Sequence, residues 1–473
     1  MPSTRRRFLR DATAAAAAFT IVPRHVLGGV GYRAPSDRVR ILGVGAGGKG
    51  EGNLLSLSGE DVIGLCDIDH ARAAKTMAAF PKAKTYTDFR RMYDELLGEA
   101  DAVVVSTPDH THAIAALAAL YADKHVYCEK PLVHNIREAR LMTEAAAARP
   151  HLVTQMGNQG ASGEGIRKIT EWLDAGLIGE VHTMRAWTNR PVWPQGNAAP
   201  AEGVTKPEGL DWDAWIGPAT EVPYHPLYHP FAWRGWWDFG TGALGDMGCH
   251  IIDSAFYALE LGYPTSAEAS VVPVYSQNWT PDYTPEACPV ASKIKLEFPA
   301  RGERPPVKLT WHDGGLLPER PDELAPDEQM GDGGSGVILE GTEGKLMHDT
   351  YANNPRLLPL SRHEQTTFPE ASIPRVETNH NVDWVNAIRE GRQPSSPFTK
   401  AGPLTETVLM GNLAVRAYDY QVPKTGAGRD DTYKPGRTKL LWDGPGMRIT
   451  NVPELNFMVG RERYREGWEL PTA

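Results

Sequence analysis

The sequence predicts two unlike domains: an N-terminal α/β domain with a parallel sheet, then an α+β domain with a large, mostly antiparallel open sheet. Two observations support the first domain. Short apolar runs alternate with alanine-rich stretches, and a glycine-rich loop follows the first run. The third observation is a change near residue 158, where alternating polar and apolar runs and long loops begin.

The N-terminal domain is predicted from four short apolar runs, at residues 39–44, 61–66, 102–106 and 125–128. Helical stretches at 71–80, 112–121 and 136–148 separate or follow them. Continuous apolar strands separated by helices indicate a parallel sheet with both faces covered. Cys66 and Cys128 end two strands, so we expect them to be buried; four scattered cysteines favour neither a disulfide framework nor a zinc site.

The second domain is assigned to residues 158–420. A helix is predicted at 164–175, strands at 180–187, 267–275, 292–298 and 307–312, and two late helices at 381–390 and 403–418. The loops at 190–230 and 313–335 exceed ordinary connections, which makes them candidates for substrate binding or an interface. Residues 421–473, rich in proline and charge, form a predicted C-terminal extension.

The N-terminus carries the pattern of a twin-arginine export signal. Thr4-Arg5-Arg6-Arg7-Phe8-Leu9-Arg10 precedes an apolar run at 12–22 that is too short to span a bilayer. We therefore expect residues 1–33 to be a leader and the protein to be exported, folded, to the periplasm by the twin-arginine machinery. The alternative is a basic, frayed N-terminus on a cytoplasmic protein.

Charge and hydropathy limit the partners. The net charge is −10 and no basic stripe suggests nucleic acid. No later segment has 18 consecutive apolar residues, so we expect no stable membrane insertion.

The glycine-rich loop predicts a dinucleotide site in a Rossmann domain over residues 34–157. Gly45, Gly47 and Gly50 form G-x-G-x-x-G after the first strand, and Asp67 ends the next strand. The glycines let the backbone approach a pyrophosphate at a helix N-terminus. The Asp67 carboxylate would bond ribose hydroxyls and repel a 2′-phosphate, which favours NAD over NADP, although Arg72 is nearby. The alternative is a glycine turn without a nucleotide.

Further cofactor contacts are predicted at later strand ends. Thr107, Pro108 and His112 lie where the apolar run at 102–106 gives way to a helix, and Asn158 and Gln159 lie at the domain junction. The loop also holds Asp109 and His110, which would suit a metal. No third ligand is evident, so we predict a helix-capping turn beside the cofactor and no metal site.

A family resemblance enters at Glu129-Lys130-Pro131. The order of glycine loop, acidic residue, T-P-x-x-x-H and K-H-V-Y-C-E-K-P resembles the Gfo/Idh/MocA oxidoreductases, closely over residues 38–160. The resemblance implies that Glu129 and Lys130 border the cofactor and that Lys130 also reaches the reacting hydroxyl. It further implies that Pro131 holds the turn, often through a cis bond.

A second island of resemblance, at residues 240–259, implies the rest of the reaction centre. Asp246 and His250 are four residues apart, hence on one face of a helix, and Asp253 is three residues further on, close enough to support His250. The family pattern implies a catalytic set of Lys130, Asp246 and His250. Asp246 and Asp253 would orient the imidazole or hold another substrate hydroxyl. The alternative is that Asp246 caps the helix and His250 is a core histidine.

An aromatic cluster precedes this island. Trp233 and Trp236 could pack on the C–H faces of a sugar, while Arg234 bonds its hydroxyls. Core packing is the alternative for either tryptophan.

These features predict an exported enzyme that moves hydride between a tightly bound NAD(P) and a hydroxyl of a sugar, polyol or glycoside. Two alternatives remain: a glycoside hydrolase or lyase using transient C3 oxidation and elimination, and a non-catalytic sugar- or nucleotide-binding sensor. The resemblance also implies a homodimer or homotetramer that pairs through the open sheet.

Overall fold

A computed structural model describes residues 37–424 and 432–472. The leader at 1–33 lies outside the described residues. The first sheet has six parallel strands in the order β3-β2-β1-β4-β5-β6. These are β1 Arg40–Val44, β2 Asp61–Cys66, β3 Lys84–Tyr86, β4 Ala102–Val105, β5 His125–Cys128 and β6 Thr154–Met156. The predicted parallel sheet is confirmed; the short edge strands β3 and β6 were not predicted.

Helices cover both faces of this sheet. They are α1 Lys49–Ser56, α2 His70–Ala79, α3 Phe89–Leu96, α4 His112–Tyr121 and α5 Ile136–Ala147. Asp69 and Asn135 cap α2 and α5 by accepting hydrogen bonds from the backbone amides of Arg72 and Glu138. Cys66 and Cys128 are buried free thiols, as expected.

The second sheet has nine strands in the order β13-β12-β11-β7-β10-β9-β8-β16-β17. All of its pairings are antiparallel except that between β7 and β10, which confirms the predicted mostly antiparallel sheet. The strands are β7 Val181–Thr188, β8 Ser266–Val271, β9 Ser292–Phe298, β10 Val307–His312, β11 Ser335–Gly341, β12 Gly344–His348, β13 Arg356–Leu358, β16 Leu440–Asp443 and β17 Arg448–Ile449. A separate ribbon joins β14 Val422–Pro423 to β15 Thr432–Tyr433.

The remaining helices follow the first domain in the chain, and one of them packs against the first sheet. They are α6 Glu164–Asp174, α7 Trp212–Ile216, α8 Gly242–Ile251, α9 Asp253–Ala258, α10 Leu360–Gln365, α11 His380–Glu390 and α12 Phe398–Ala417. Trp384 and Val385 of α11 are buried in the same cluster as Ile41 and Tyr127, so this late helix packs on the first sheet. Helix α12 begins five residues before the predicted start at 403, and Pro403 lies within it.

The C-terminal extension is built into the rest of the molecule. Strands β16 and β17 extend the second sheet, and the segment that follows returns to the first domain. There Arg90 Nη1 donates a hydrogen bond to the Gly467 carbonyl at 2.8 Å. In the described part of the chain, none of the helices combines the length and apolar character needed to cross a membrane.

Candidate active site

A cleft of about 480 Å³ lies between the domains, at the carboxyl ends of the parallel strands. It receives residues from both sheets and from the C-terminal segment. Twelve of the predicted site residues line it: Gly45, Gly47, Asp67, Thr107, Pro108, Glu129, Lys130, Gln159, Trp233, Arg234, Asp246 and His250. Five predicted residues, Gly50, His112, Asn158, Trp236 and Asp253, do not line it.

The glycine loop is held by close backbone packing. A Cβ at Gly50 would lie 1.8 Å from the Gly45 carbonyl oxygen, and Gly45 has a φ of +83°. Gly50 therefore shapes the loop without facing the cleft. Asp67 accepts hydrogen bonds from the amides of Ala46 and Gly47 at 2.9 and 2.7 Å, while burial raises its pKa.

Glu129 is anchored by a residue that the sequence reasoning missed. Asn53 donates from Nδ2 to Glu129 Oε1 at 2.8 Å and to Ser106 Oγ at 3.0 Å. Lys49 Nζ lies 3.9 Å from the same carboxylate. Asn53 connects the ends of β4 and β5 beneath the loop. In the sequence it is marked only as a polar residue on the helix that follows the glycines.

Asp246 is the centre of the charged cluster. Lys130 Nζ donates to Asp246 Oδ1 at 2.8 Å and to its carbonyl oxygen at 2.6 Å, and Arg234 Nε donates to Oδ1 at 3.2 Å. Burial disfavours the charge on Lys130, but Asp246 outweighs this and raises the Lys130 pKa. Burial likewise opposes ionisation of Asp246, yet Lys130 and Arg234 hold its pKa well below the usual range. The Lys130–Pro131 peptide is cis.

His250 stands one turn after Asp246 with a free ring nitrogen. The residue is 5% exposed, and Nδ1 has no hydrogen-bond partner among the described residues. The edge of the Tyr351 ring lies against it, with centroids 4.9 Å apart. Burial, followed by the charge of Lys130, lowers the His250 pKa well below 6.5, so the imidazole is neutral near pH 7 and able to accept a proton.

Asp253 does not support His250, contrary to the expectation. Ile252 interrupts the assigned helix, and Asp253 is the first residue of α9. Its carboxyl instead accepts a hydrogen bond from Asn158 Nδ2 at 2.9 Å. Burial raises the Asp253 pKa to about 8, which keeps this carboxyl protonated at neutral pH. Asn158 and Asp253 thus form a buried pair behind the cleft.

His112 and Trp236 also have roles other than those expected. His112 is fully buried, with Nδ1 2.9 Å from the Pro131 carbonyl and Nε2 2.8 Å from that of Thr107, so it connects two cleft loops. Trp236 donates to the Leu227 carbonyl at 2.7 Å and packs in an aromatic cluster behind the cleft. For Trp236 the core-packing alternative holds.

Trp233 and Arg234 form the cleft wall together. The Arg234 guanidinium lies 4.2 Å from the Trp233 ring centroid and 4.6 Å from that of Phe231. This wall therefore combines the Trp233 ring with the Arg234 guanidinium, which donates a hydrogen bond to Asp246.

The C-terminal segment supplies a wall residue that local sequence reasoning could not find. Trp468 is 4% exposed and lines the cleft next to Phe89, and the Arg90 guanidinium lies 3.7 Å above its ring. Tyr351 likewise reaches the cleft from a turn after β12, at a φ of +60°. Both lie far in sequence from the motifs, which is why no spacing signalled them.

Fold and site together define a two-domain protein whose first domain has the parallel sheet and glycine loop of a dinucleotide-binding fold. The family model for an oxidoreductase NAD-binding Rossmann fold matches residues 38–156, and that for the oxidoreductase C-terminal α/β domain matches 166–298. Together they account for just over half of the chain. The chain belongs to the Gfo/Idh/MocA oxidoreductase family.

Curated relatives resemble parts of the chain. An inositol 2-dehydrogenase/D-chiro-inositol 3-dehydrogenase of Lacticaseibacillus casei is 32% identical over 152 residues, 32% of this chain and 43% of that protein. Levoglucosan dehydrogenase of Pseudarthrobacter phenanthrenivorans is 26% identical over 219 residues, 46% of each. The chain thus spans about half the length of the curated relatives it matches.

Solved structures share the fold. The Bordetella pertussis WlbA dehydrogenase, in complex with NADH and UDP-GlcNAcA, matches with a TM-score of 0.53 at 14% identity, over 80% of this chain and 96% of that one. Levoglucosan dehydrogenase in complex with NADH and levoglucosan matches at 0.51 and 18% identity, over 80% and 98%. At these identities the likeness shows the fold alone.

Proposed function

We propose that this protein is an NAD-dependent oxidoreductase that moves hydride between bound nicotinamide and a hydroxyl-bearing carbon of a sugar or polyol. The observation that carries the proposal is one cleft holding the glycine loop, the Lys130–Asp246 pair and a neutral His250. The relatives named as inositol and levoglucosan dehydrogenases support the substrate class.

Residues that could bind NAD lie at two places in the cleft: at the glycine loop with Asp67, and at Gln159. The glycine loop would receive the pyrophosphate, and the Asp67 carboxylate beside it disfavours a 2′-phosphate. Gln159 Oε1 is buried without a hydrogen-bond partner among the described residues and lies in the cleft wall, where an amide-bearing ligand would satisfy it. When bound, the cofactor supplies the hydride acceptor.

Side chains of the protein accept the proton of the substrate hydroxyl and stabilise charge on its oxygen. His250 takes the hydroxyl proton, because its imidazole is neutral and lines the cleft. Lys130, kept charged by Asp246, donates to the substrate oxygen and stabilises negative charge as it develops there. Arg234 and Trp233 would hold the remaining hydroxyls and a C–H face of the sugar.

We further propose that the protein is exported folded, with NAD already bound and retained. The twin-arginine pattern at Thr4–Arg10 and the burial of Trp468 over the cleft support this. An exported enzyme without fresh cofactor would reset its nicotinamide with a second substrate. Substituting Arg5→Lys together with Arg6→Lys should leave the protein in the cytoplasm, as fractionation would show; unchanged export would refute the route.

The function is tested on purified full-length protein. Mass spectrometry should find NAD(H), and absorbance at 340 nm should change when inositols, anhydrosugars or other polyols are added. A protein that neither holds nor uses NAD with a broad panel contradicts the proposal. Release of an aglycone with no net change in cofactor redox state would indicate the glycoside hydrolase instead.

A further inference from the structure

A second cavity, of about 410 Å³, lies beside the residues that precede α8. Its walls come from the start of α5, the end of α12 and the C-terminal segment, and it is separate from the cleft described above. The residues that matter are His134, Asn135, Trp237, Asn412, Arg416 and Arg461. The volume falls in the range of small-molecule sites.

Arg461 places an unsatisfied donor in this cavity. Its side chain is 7% exposed. Nη2 donates to the Asp238 carbonyl at 2.9 Å, and Nη1 lies 3.9 Å from the Asp238 carboxylate, which is itself half-exposed. Nε is buried with no hydrogen-bond partner among the described residues. A buried guanidinium N–H without an acceptor is costly and calls for an explanation.

Arg416 is a second cation facing the same space. Its guanidinium makes no hydrogen bond or ion pair within residues 37–424 and 432–472. Burial lowers its pKa and the charge of Arg461 lowers it further, whereas Asp238, Cys288 and Tyr420 act in the opposite direction. Two arginines therefore share one half-exposed carboxylate, which leaves the cavity with an excess of positive charge.

Neighbouring groups add polar character to the cavity. Nε2 of His134 and Nδ2 of Asn135 are buried and unpartnered among the described residues. Glu138 is engaged elsewhere, by Tyr464 and the His134 amide. Glu462 and Arg463 are exposed at the rim.

We propose that this cavity binds a small organic oxyanion, a carboxylate or phosphate ester carried on a polar body such as a sugar. Arg416 and Arg461 would bind the anionic group, since guanidinium groups match carboxylate and phosphate oxygens. The volume exceeds what an inorganic ion needs, and Trp237 provides a face for the attached body. This site goes beyond the proposed hydride transfer and does not depend on it.

The site touches the catalytic cleft through one residue. Thr241 Oγ1 donates to Asp109 Oδ2 at 2.6 Å on the cleft side, and its carbonyl accepts from Asn412 Nδ2 at 2.7 Å on the cavity side. Because Thr241 precedes α8, which carries Asp246 and His250, the two sites share a wall.

The test is calorimetric titration of the full-length protein in excess NAD, with D-glucuronate, glucose 6-phosphate, inorganic phosphate and neutral D-glucose as probes. We compare the natural protein with Arg416→Gln and, as a matched control, with Arg91→Gln on the exposed face of α3. One sugar anion should bind with unit stoichiometry to the natural and Arg91→Gln proteins and at least tenfold more weakly to Arg416→Gln, while D-glucose shows no such difference.

The proposal is overturned if no sugar anion binds, or if Arg416→Gln binds it as well as the natural protein does. Binding of inorganic phosphate with equal affinity would also overturn it, because the polar body would then contribute nothing. Thermal melting guards against misfolding. Without anion, Arg416→Gln should melt no lower than the natural protein, since the substitution removes an unpaired, partly buried charge; a lower melting temperature would mean a structural role for Arg416.

Discussion

At the scale of single residues, Asp246 does something different from what its spacing suggested. A position one turn before His250 suggested that it orients the imidazole, yet its hydrogen bonds go to Lys130 and Arg234. The carboxylate therefore keeps Lys130 charged and directed into the cleft, and His250 is left neutral by burial.

Replacing Lys130 by methionine removes the charged donor and keeps most of the volume. We expect kcat to fall by about 10²–10³-fold, the range for losing one donor to a developing oxyanion. Bound NAD, measured by mass spectrometry, should stay near its natural content. Turnover within a few-fold of the natural enzyme would show that Lys130 is not catalytic.

The depressed pKa of His250 predicts the acid limb of activity. Since the folded-state pKa lies well below 6.5, the imidazole stays neutral as the pH falls through 6.5. The acid limb of kcat/KM should therefore lie below pH 6.5, and His250→Asn should abolish both the limb and most of the rate. A limb at or above pH 6.5 would contradict this environment.

The raised pKa of Asp253 predicts a pH-dependent stability difference. The folded pKa is about 8, against an unfolded value near 3.9. As the pH rises from about 4 to about 8, the unfolded carboxyl ionises while the folded one stays protonated, so Asp253 makes the folded protein progressively less stable. Asp253→Asn keeps an acceptor for Asn158 without the charge. Its advantage in unfolding free energy should grow by up to about 1.4 kcal/mol per pH unit in that window.

Urea unfolding at several pH values measures this difference. The matched control is Asp94→Asn on the exposed face of α3, which should show no such slope. An Asp253→Asn protein with a constant stability difference across the window would rule out a buried, protonated Asp253.

At the scale of elements, the turn after β12 and the C-terminal segment bring distant residues to the site. The turn after β12 brings Tyr351 against the His250 imidazole. The C-terminal segment spans from α3 to α7, since Arg465 Nε donates to the Gly217 carbonyl at 2.9 Å while Gly467 accepts from Arg90. It therefore covers one end of the cleft.

Trp468→Ala should loosen the cofactor. Removing a buried aromatic wall exposes that end of the cleft, and we expect NAD to dissociate about tenfold faster, equivalent to about 1.4 kcal/mol. Residual NAD after timed dialysis measures this. Trp279→Ala is the control, because Trp279 is 96% exposed.

Melting of both cofactor-free variants separates this effect from a general loss of stability. If Trp468→Ala retains NAD as long as Trp279→Ala does, the segment has no part in holding the cofactor.

At the scale of the whole molecule, the cleft is shared between two sheets of different topology. The parallel sheet contributes the glycine loop and Lys130; the second domain contributes Arg234, Asp246 and His250. Neither domain alone assembles the site. Pairing of copies through the open face of the second sheet, and export through the leader, remain predictions.

If the nicotinamide stays bound between half-reactions, two-substrate kinetics should be ping-pong. A polyol donor and a carbonyl acceptor, each varied against the other, should give parallel double-reciprocal lines without added NAD. Intersecting lines, or an absolute need for free NAD, would indicate an ordinary exchanging dehydrogenase.

The family resemblance implied the roles of Lys130, Asp246 and His250, and local patterns in the sequence were enough to predict both sheets and the glycine loop with Asp67. Those features depend on contacts near in sequence: strand and helix periodicity, a tight glycine turn, a strand end. The tertiary structure alone decided that Asp253 pairs with Asn158, that Trp236 belongs to the core, and that Asn53, Tyr351 and Trp468 border the site. These contacts depend on packing between segments that are distant in the chain. No short-range pattern determines which buried polar groups or aromatic rings contact each other.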